Sequence, residues 1–264
     1  MIYNTRDVLI YFSNKYKQDY KKITDALKAK EKIDQDLLDQ YKSQIKSNYV
    51  CLLDDNYPEI LKNVPCPPLV LYYYGNFDLI NSRKKLAVIG TRTPSNYATR
   101  ITKKLVSETL INSNNEVTIL SGMAYGVDSI AQKEAIKNCG KVISILGSGI
   151  DLAYPESSLD IYNYCKETNN GLVISEYIGL EEPKKEHFPI RNRIISMLAN
   201  CLLVIEGKEK SGTSITTRYA LDFGKDILAV PNEIDSPYSL TNSLIASGAN
   251  ICQSYKDILS LLCN

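Results

Sequence analysis

Three small polar residues late in the chain could bind an anion. Ser211, Gly212 and Thr213 follow an apolar run at residues 201–206, and Lys210 precedes them. The first N–H groups of a helix have no partner inside the helix, so a helix that begins in such a loop attracts phosphate. The spacing therefore predicts a buried strand, an anion-binding loop and a helix, in that order.

Two arginines lie just upstream of this strand, on either side of Asn192. Arg191 and Arg193 belong to the segment 188–196, which we interpret as a basic turn followed by a helix. A guanidinium group presents paired donors that fit the oxygens of a phosphate. We therefore expect Arg191, Asn192 and Arg193 to bind a polyanion together with the loop at 210–213.

Two earlier loops have a comparable composition. Each follows an apolar run and combines glycines, which let a ligand approach the backbone, with hydroxyl, aromatic or basic side chains. Their candidate site residues are Gly90, Arg92, Ser95, Ser121, Gly122, Tyr125 and Gly126. Any single glycine among them is equally compatible with a simple tight turn.

Three residues are candidates for catalysis, and each has a structural alternative. Asp128 is either an active carboxylate or a residue that caps its helix or orients the loop before it. Glu206 ends an apolar run and could pair with an arginine, and His187, the only histidine in the sequence, could simply pack beside Phe188. We favour the structural alternatives and predict that the chain binds its ligand without chemistry and is not an enzyme.

Nucleotide cofactors and metals are not indicated by the motifs. Gly147 and Gly149 begin like a dinucleotide fingerprint, but Leu152 stands where the third glycine belongs, and the chain has no P-loop motif. The seven cysteines form no Cys-x-x-Cys pair, which is untypical of a zinc site or a small disulfide framework. We predict no cofactor and no metal.

Alternating strands and helices must position the candidate loops. From residue 86 onward, short runs are apolar throughout, which is typical of strands covered by helices on both faces of a parallel sheet. The predicted strands are 86–90, 117–121, 142–147, 172–175, 202–206 and 227–231, and the predicted helices are 97–111, 127–138, 157–168, 191–199, 213–223 and 254–262. Since the carboxyl ends of parallel strands meet at one edge, the loops should converge there.

The first 46 residues differ from the rest of the chain. They contain neither Gly nor Pro, and their apolar side chains recur at helical spacing. We predict a small helical cap at 1–46 and an α/β domain at 47–264, with an extended Rossmann-like, doubly wound, mainly parallel sheet. Within it, residues 54–58 indicate a turn into a short helix, and 69–75 a strand whose tyrosines at 72–74 either pack or stack on bases.

Composition restricts the kind of site the chain can carry. The formal net charge is +1 over 264 residues, and 44% of the residues are hydrophobic. This balance allows a packed core but gives no global positive field, so a nucleic-acid site must be a local patch. No apolar run approaches the length of about 20 residues that crosses a membrane, and the amino terminus has no apolar signal region. We expect a cytoplasmic protein.

The ordered series of motifs between about residues 49 and 249 resembles the DNA-processing family DprA, also called Smf. The motifs are DDNYP at 54–58, PPLVL at 67–71, VIGTRTPS at 88–95, SGMAYGVD at 121–128 with Ala131, GSGIDLAYP at 147–155, SEY at 175–177, FPIRNRIIS at 188–196, KSGTSIT at 210–216 and NSLIASGA at 242–249.

This resemblance implies an extended Rossmann-like domain that binds single-stranded DNA. It also implies a homodimer that protects incoming DNA and helps to load the recombinase RecA during natural transformation. The implied DNA pocket contains Arg92, the loop at 121–122, Arg191 and Arg193, and the loop at 211–213. We expect no winged-helix domain, which many members carry, before residue 264.

Four residues depart from the family pattern. Gln132 stands where His is usual, and Asn232 and Thr241 replace customary glycines. Tyr125 replaces a frequent Lys or Arg, so one phosphate contact is either lost or replaced by stacking. These departures bear on affinity and on the path of the DNA rather than on the fold.

Two other functions stay open on sequence grounds. Nucleotide-binding hydrolases of the lysine-decarboxylase-like group, which cleave nucleoside monophosphates at the N-glycosidic bond, resemble the chain in a Gly-Thr loop after a late strand. Their second glycine and following glutamate are absent here, where Ser211 and the residues 214–217 stand instead. An interaction scaffold, with a partner on the helical cap or the C-terminal region, is the weaker alternative.

Overall fold

A nine-stranded sheet forms the centre of the computed structural model, which describes residues 3–262. In chain order its strands are β1 Asn48–Cys51, β2 Val70–Gly75, β3 Lys85–Ile89, β4 Thr118–Ser121, β5 Lys141–Ile145, β6 Gly171–Ser175, β7 Cys201–Val204, β8 Asp226–Ala229 and β9 Asn250–Ile251. Across the sheet they lie in the order β1-β2-β6-β5-β4-β3-β7-β8-β9. All the strands predicted from residue 86 onward are present, whereas β1 and β9 were not expected.

Parallel pairing prevails and confirms the predicted α/β class with a mainly parallel, doubly wound sheet. β3 to β9 pair in parallel, whereas β1 and β2 pair antiparallel with each other and β2 pairs antiparallel with β6. From β3 the chain builds outward through β4, β5 and β6, and then adds β7, β8 and β9 on the other side of β3. The strand order therefore reverses between β3 and β7, and such a switch point leaves a crevice at the carboxyl ends of both strands.

Helices cover the sheet and begin at residues that can cap them. Within residues 3–262 the helices are α1 Thr5–Lys15, α2 Tyr20–Lys28, α3 Gln35–Gln44, α4 Glu59–Lys62, α5 Asn96–Asn112, α6 Val127–Lys137, α7 Leu159–Glu167, α8 His187–Leu198, α9 Gly212–Asp222, α10 Leu240–Ala246 and α11 Tyr255–Leu262. Ser95 Oγ accepts from Ala98 N at 3.0 Å to cap α5, and Ser211 Oγ accepts from Ser214 N at 3.4 Å to cap α9. Each cap satisfies an N–H group that the helix leaves free.

The sheet is buried on both of its faces. In β3, Leu86 and Val88 pack in one apolar cluster, while Ala87 and Ile89 pack in the other, because successive residues of a strand point to opposite faces. Burial of each Leu, Val or Ile side chain contributes about 1.5–3 kcal/mol. This two-sided burial explains why the strands read as continuous apolar runs in the sequence.

Helices α1 to α3 belong to the first of these clusters. Tyr11, Ile23 and Leu38, one from each helix, pack with apolar residues of the sheet. Asn14 Nδ2 also donates to the hydroxyl of Tyr72 in β2 at 3.0 Å. The three helices therefore rest directly on the sheet, and Tyr72 packs rather than offering a face to bases. The division of the chain after residue 46 stays a prediction.

Helix α8 begins earlier than predicted. It starts at His187, so the turn predicted before residue 191 is wrong, whereas the predicted helical placement of Arg191 and Arg193 is confirmed. Pro189 lies in the first helical turn, where its missing N–H group removes no helical hydrogen bond. Pro189 is therefore compatible with the start of a helix, although a proline in a sequence often indicates a turn.

The cysteines are reduced within the described part of the chain. None of the six between residues 3 and 262 forms a disulfide, and four of them are buried. Burial raises the pKa of the Cys51 and Cys165 thiols to about 12, so these groups are protonated core side chains. Cys263 lies outside the described residues. No helix of residues 3–262 combines the length and the apolar character that a membrane crossing needs.

Candidate functional site

A cavity of about 630 Å³, here called the switch-point cavity, opens at the carboxyl ends of β3, β4 and β7. The loops after these strands, together with α8 and the first turns of α9, form its walls. Seven of the predicted site residues line it, namely Gly90, Arg92, Arg191, Asn192, Ser211, Gly212 and Thr213. The loops converge because the three strands are parallel and end at the same edge of the sheet.

The first turn of α9 presents free backbone donors to this cavity. Ser211 caps the helix through a capping box with Ser214, which occupies the N–H groups of both residues. The N–H groups of Gly212 and Thr213 make no hydrogen bond within residues 3–262. A Cβ added to Gly212 would meet no atom within 4 Å. The turn is thus open to a ligand, and the helix dipole favours a negatively charged one.

Three exposed basic side chains surround this turn. Arg92, Lys185 and Lys208 line the cavity and form no ion pair in the part of the chain that the structure describes. The guanidinium carbon of Arg92 lies 5.0 Å from the ring centroid of Phe188, which holds the cation over an aromatic face. Basic groups without a partner in the folded chain favour an anionic ligand.

Arg191 is the buried basic residue of the cavity. Its Nη1 donates to the carbonyl oxygen of Gly122 at 2.6 Å and to that of Ile145, and its Nε donates to Asn192 Oδ1 at 3.1 Å. Its Nη2 makes no hydrogen bond within residues 3–262. Burial lowers the pKa of Arg191 to about 10, so the group is still charged at neutral pH.

Among the described residues 3–262, Asp128 is the one acidic residue that lines the switch-point cavity. Its Oδ2 accepts a hydrogen bond from Gly122 N at 3.2 Å, which fixes the loop that leads into α6. Burial raises the pKa of its carboxyl group, and the charge of Arg191 opposes that rise. These contacts support the alternative in which Asp128 orients a loop.

Gly122 and Gly126 shape the cavity without lining it. A Cβ on Gly122 would collide with the guanidinium group of Arg191, so only glycine lets that group reach the backbone. Gly126 has a φ of +79°, and a Cβ there would collide with the backbone of Thr91 and Arg92. Each glycine therefore positions an arginine or the loop that carries one.

Arg193 lies outside the cavity. Its Nη1 and Nη2 each lie 2.6 Å from a carboxylate oxygen of Glu176, and Nη2 also donates to the carbonyl oxygen of Cys66 at 2.9 Å. The side chains of this pair are only 7% and 2% exposed. Residues two apart on a helix point about 200° away from each other. The structure therefore separates the two arginines that the sequence had placed in one site.

The remaining predicted site residues do not line the cavity. Ser121 is fully buried, and its Oγ donates to Val88 O at 2.6 Å. Ser95 caps α5 and bonds the carboxylate of Glu206, so Glu206 pairs with a serine and not with an arginine. Tyr125 and Lys210 are exposed beside the cavity. Contact of these residues with a ligand stays a prediction.

His187 has a packing role. Its ring stacks on Tyr177 with centroids 3.9 Å apart, and its Nδ1 lies 3.1 Å from the carbonyl oxygen of Gly147. The residue is 2% exposed. These contacts support the packing alternative over a catalytic triad.

Two residues that line the cavity, Phe188 and Lys185, were not predicted from the sequence as site residues. Phe188 lies between Arg92 and Tyr154, whose ring centroid is 6.0 Å from its own. Lys185 lies in the loop just before α8. The sequence did contain a signal for both, since Lys185 and Phe188 lie within a few positions of Arg191. The signal was missed because the helix was predicted to start at residue 191, after both of them.

The arrangement suits binding of an anion better than catalysis. Four basic side chains and one carboxylate line the cavity of the described chain, and that carboxylate is hydrogen-bonded to the backbone. No group of three or more His, Cys, Asp or Glu residues within residues 3–262 could hold a metal ion. Cations and free N–H groups around one space bind phosphate oxygens.

Comparisons with known proteins point to one family. A family model described as DNA recombination-mediator protein A matches residues 48–263. The DNA processing protein DprA of Streptococcus pneumoniae is 38% identical over 210 residues, which cover 79% of this chain and 72% of that protein.

Solved structures agree with this match. The X-ray structure of DprA from S. pneumoniae superposes with a TM-score of 0.80 and 30% identity, over 98% of both chains. The structure of DNA processing protein A from Helicobacter pylori, described for its single-stranded DNA binding mode, superposes with a TM-score of 0.72 and 28% identity, over 83% of this chain and 97% of that one.

Proposed function

Because the chain belongs to the DNA recombination-mediator protein A family, we propose that it binds single-stranded DNA in the switch-point cavity and acts in DNA processing during natural transformation. Phosphates of the strand lie against the first turn of α9, between Arg92 and Lys208. Arg191 adds charge from the buried side, with Nη2 as its remaining donor.

One observation supports this proposal above all others. The free N–H groups of Gly212 and Thr213 line the same cavity as the unpaired cations of Arg92, Lys185 and Lys208. A chain with a net charge of +1 has no general attraction for nucleic acid, so such a local concentration of donors needs a local anion. A sugar–phosphate chain supplies several phosphates in a row, and their neutralisation makes binding depend on salt.

The proposal extends to the partners of the bound strand. A homodimer of the chain protects incoming DNA in the cytoplasm and helps to load the recombinase RecA on it. The description of the family as a recombination mediator supports this step. Light scattering with and without an oligo-dT strand, and RecA assembly on DNA bound by the protein, are the measurements. A chain that stays monomeric, or that leaves RecA assembly unchanged, contradicts the extension.

Binding without chemistry is part of the same proposal. The residues after the Gly-Thr pair are Ser214, Ile215, Thr216 and Thr217, so the carboxylate of the related hydrolases has no counterpart there. Asp128 is the only carboxylate left in the described lining, and it is held by Gly122. Release of adenine from AMP by the purified chain, lost in Asp128→Asn, would replace this proposal with the hydrolase alternative.

Fluorescence anisotropy with labelled single strands tests the site. Arg92→Ala should weaken binding about tenfold or more, because a charge-assisted hydrogen bond to phosphate is lost. The dependence of log K on log salt should become shallower by about 0.7, the value for one phosphate contact to a single strand. Arg83→Ala is the matched control, since Arg83 is exposed and precedes β3, at the opposite edge of the sheet. Equal affinities of Arg92→Ala and Arg83→Ala for the single strand would show that the DNA does not bind in this cavity.

A further inference from the structure

A second cavity, of about 560 Å³, lies on the other side of the loop between β3 and α5. Glu206, just after β7, lines it, and so do Ser95 and Tyr97 at the start of α5. The rest of its wall comes from the segment 231–238, which follows β8. The function proposed above makes no use of this space.

Residues that line the two cavities are in direct contact. Tyr238 lines the second cavity, and its hydroxyl donates to the carbonyl oxygen of Thr93, which lines the first, at 2.9 Å. Lys208 of the switch-point cavity lies with its Nζ 5.8 Å from the ring centroid of Tyr238. A cation of the first cavity therefore lies next to an aromatic ring of the second, so a phosphate held at Lys208 has its own nucleotide beside Tyr238.

The charges of the two cavities are opposite. Glu206, Glu233 and Asp235 line the second cavity, and no basic side chain belongs to its lining within the described residues. Carboxylates repel phosphate, so this space does not continue the phosphate path. They accept hydrogen bonds, and therefore suit a ligand group that carries several N–H donors.

Glu206 is the buried carboxylate of this cavity, at 1% exposure. Its Oε2 accepts from Ser95 N at 2.9 Å, and its Oε1 accepts from Ser95 Oγ at 2.7 Å. A carboxylate has about four lone-pair positions, so these two bonds fix the group in place and leave each oxygen able to accept another donor.

Two aromatic rings are fixed in the wall of the same cavity. The hydroxyl of Tyr97 donates to the carbonyl oxygen of Pro231 at 3.1 Å, and that of Tyr238 is held by Thr93. Pro231 and Pro237 add further flat apolar surface. Rings held in advance suit the stacking of a planar base, which contributes about 1–3 kcal/mol per base.

We propose that the second cavity holds a base of the bound strand and selects guanine over thymine. This inference rests on the proposed binding of single-stranded DNA in the switch-point cavity. Guanine offers N1–H and N2–H₂ as neighbouring donors, which match the acceptors of Glu206 and the acidic rim. Thymine offers one N–H group between two carbonyl oxygens, and these oxygens would face carboxylates.

Anisotropy titrations of the full chain with strands of about 20 nucleotides, a length that spans the site of one binding fold, test this selection. A strand of alternating dT and dG should bind at least about fivefold more tightly than oligo-dT. Replacing guanine by hypoxanthine, which lacks the 2-amino group, should lower the preference. Equal affinity for dT and dG strands overturns the guanine site and leaves the proposed function intact. Failure to bind either strand overturns the proposed function instead.

Variants and cross-linking locate the preference. Glu206→Gln should reduce the ratio of dG to dT affinity to below about twofold. The ratio is measured rather than the affinity itself, because the change also alters the hydrogen bonds to Ser95 and so affects binding of both strands. The double change of Glu233→Gln and Asp235→Asn at the exposed rim should lower the same ratio. Should Glu206→Gln not fold, photo-cross-linking of 6-thioguanine strands to the native chain decides. Adducts in residues 231–238 support the proposal, and adducts confined elsewhere overturn it.

Discussion

Helix α8 separates two regions that use arginine in opposite ways. In the switch-point cavity, Arg92 is exposed without an ion pair and Arg191 has one nitrogen free, whereas Arg193 is enclosed by Glu176 and the backbone of Cys66. A cation whose donors are all used inside the fold has nothing left for a ligand. The difference shows that the residue type alone does not mark a binding site, and that unpaired donors do.

Removal of Glu176 should have the largest effect on stability. Glu176→Ala leaves Arg193 buried without its partner, which should lower the free energy of unfolding by about 3–5 kcal/mol. Urea unfolding followed by circular dichroism measures it. The matched control is Glu59→Ala, because Glu59 is 80% exposed in its pair with Lys62 and such pairs contribute about 0–1 kcal/mol. Similar losses for both variants would show that the Arg193 pair is no more structural than a surface pair.

Gly122→Ala should connect stability and binding. The added methyl group collides with the guanidinium of Arg191, so the unfolding free energy should fall by about 1–3 kcal/mol, and affinity for single strands should fall as Arg191 is displaced. Gly212→Ala is the stability control, since its Cβ meets no atom within 4 Å. A variant at Gly122 that keeps both stability and affinity would show that the position of Arg191 is not needed.

Arg92→Ala should lower the affinity for DNA without lowering the stability of the fold. Its stability should stay within about 0.5 kcal/mol of that of the native chain, because the side chain is exposed and has no ion pair. Its affinity for DNA should fall as described above. Thermal unfolding of the same samples used for anisotropy measures both. A large loss of stability would mean that Arg92 belongs with Arg193 as a structural arginine.

The smallest expected effect is a pH dependence at His187, between the two regions. Burial lowers the pKa of this imidazole below 6.5, so at acid pH the unfolded chain binds a proton more readily than the folded one. The stabilising contribution is therefore complete above about pH 6.5 and is lost as the pH falls toward the folded pKa. Unfolding free energies at about pH 7 and pH 5.5 should differ less in His187→Gln than in the native chain. An equal difference would exclude His187 as the cause.

Much of the fold could be predicted from the sequence because the sheet is buried on both faces. Continuous apolar runs such as 86–89 and 202–205 predict parallel strands for that reason. The short edge strand β9 was missed because it has only two residues, Asn250 and Ile251, which are both exposed and too few to form an apolar run. β1 was missed because it has only four residues and pairs with β2 across an intervening segment that contains α4.

The site was predicted in part, and the misses share a cause. Loops after parallel strands converge by topology alone, so the sequence is sufficient to group Gly90, Arg92 and Gly212 in one site. Ser95 and Ser121 were grouped with them, but their hydroxyls are used inside the fold by Glu206 and Val88. The sequence shows that a loop contains a hydroxyl group, but it does not show which group that hydroxyl is hydrogen-bonded to.

The sequence by itself determined the class of fold, the alternation of β3 to β8 with their helices and the edge at which the loops meet, since these follow from apolar periodicity and from the rule for parallel strands. Only the tertiary structure decided which cations are free. Arg191 bonds the carbonyl oxygen of Gly122, 69 positions away, and Arg193 bonds that of Cys66, 127 positions away. Hydrogen bonds over such separations depend on how the chain packs in three dimensions, and no local pattern encodes them.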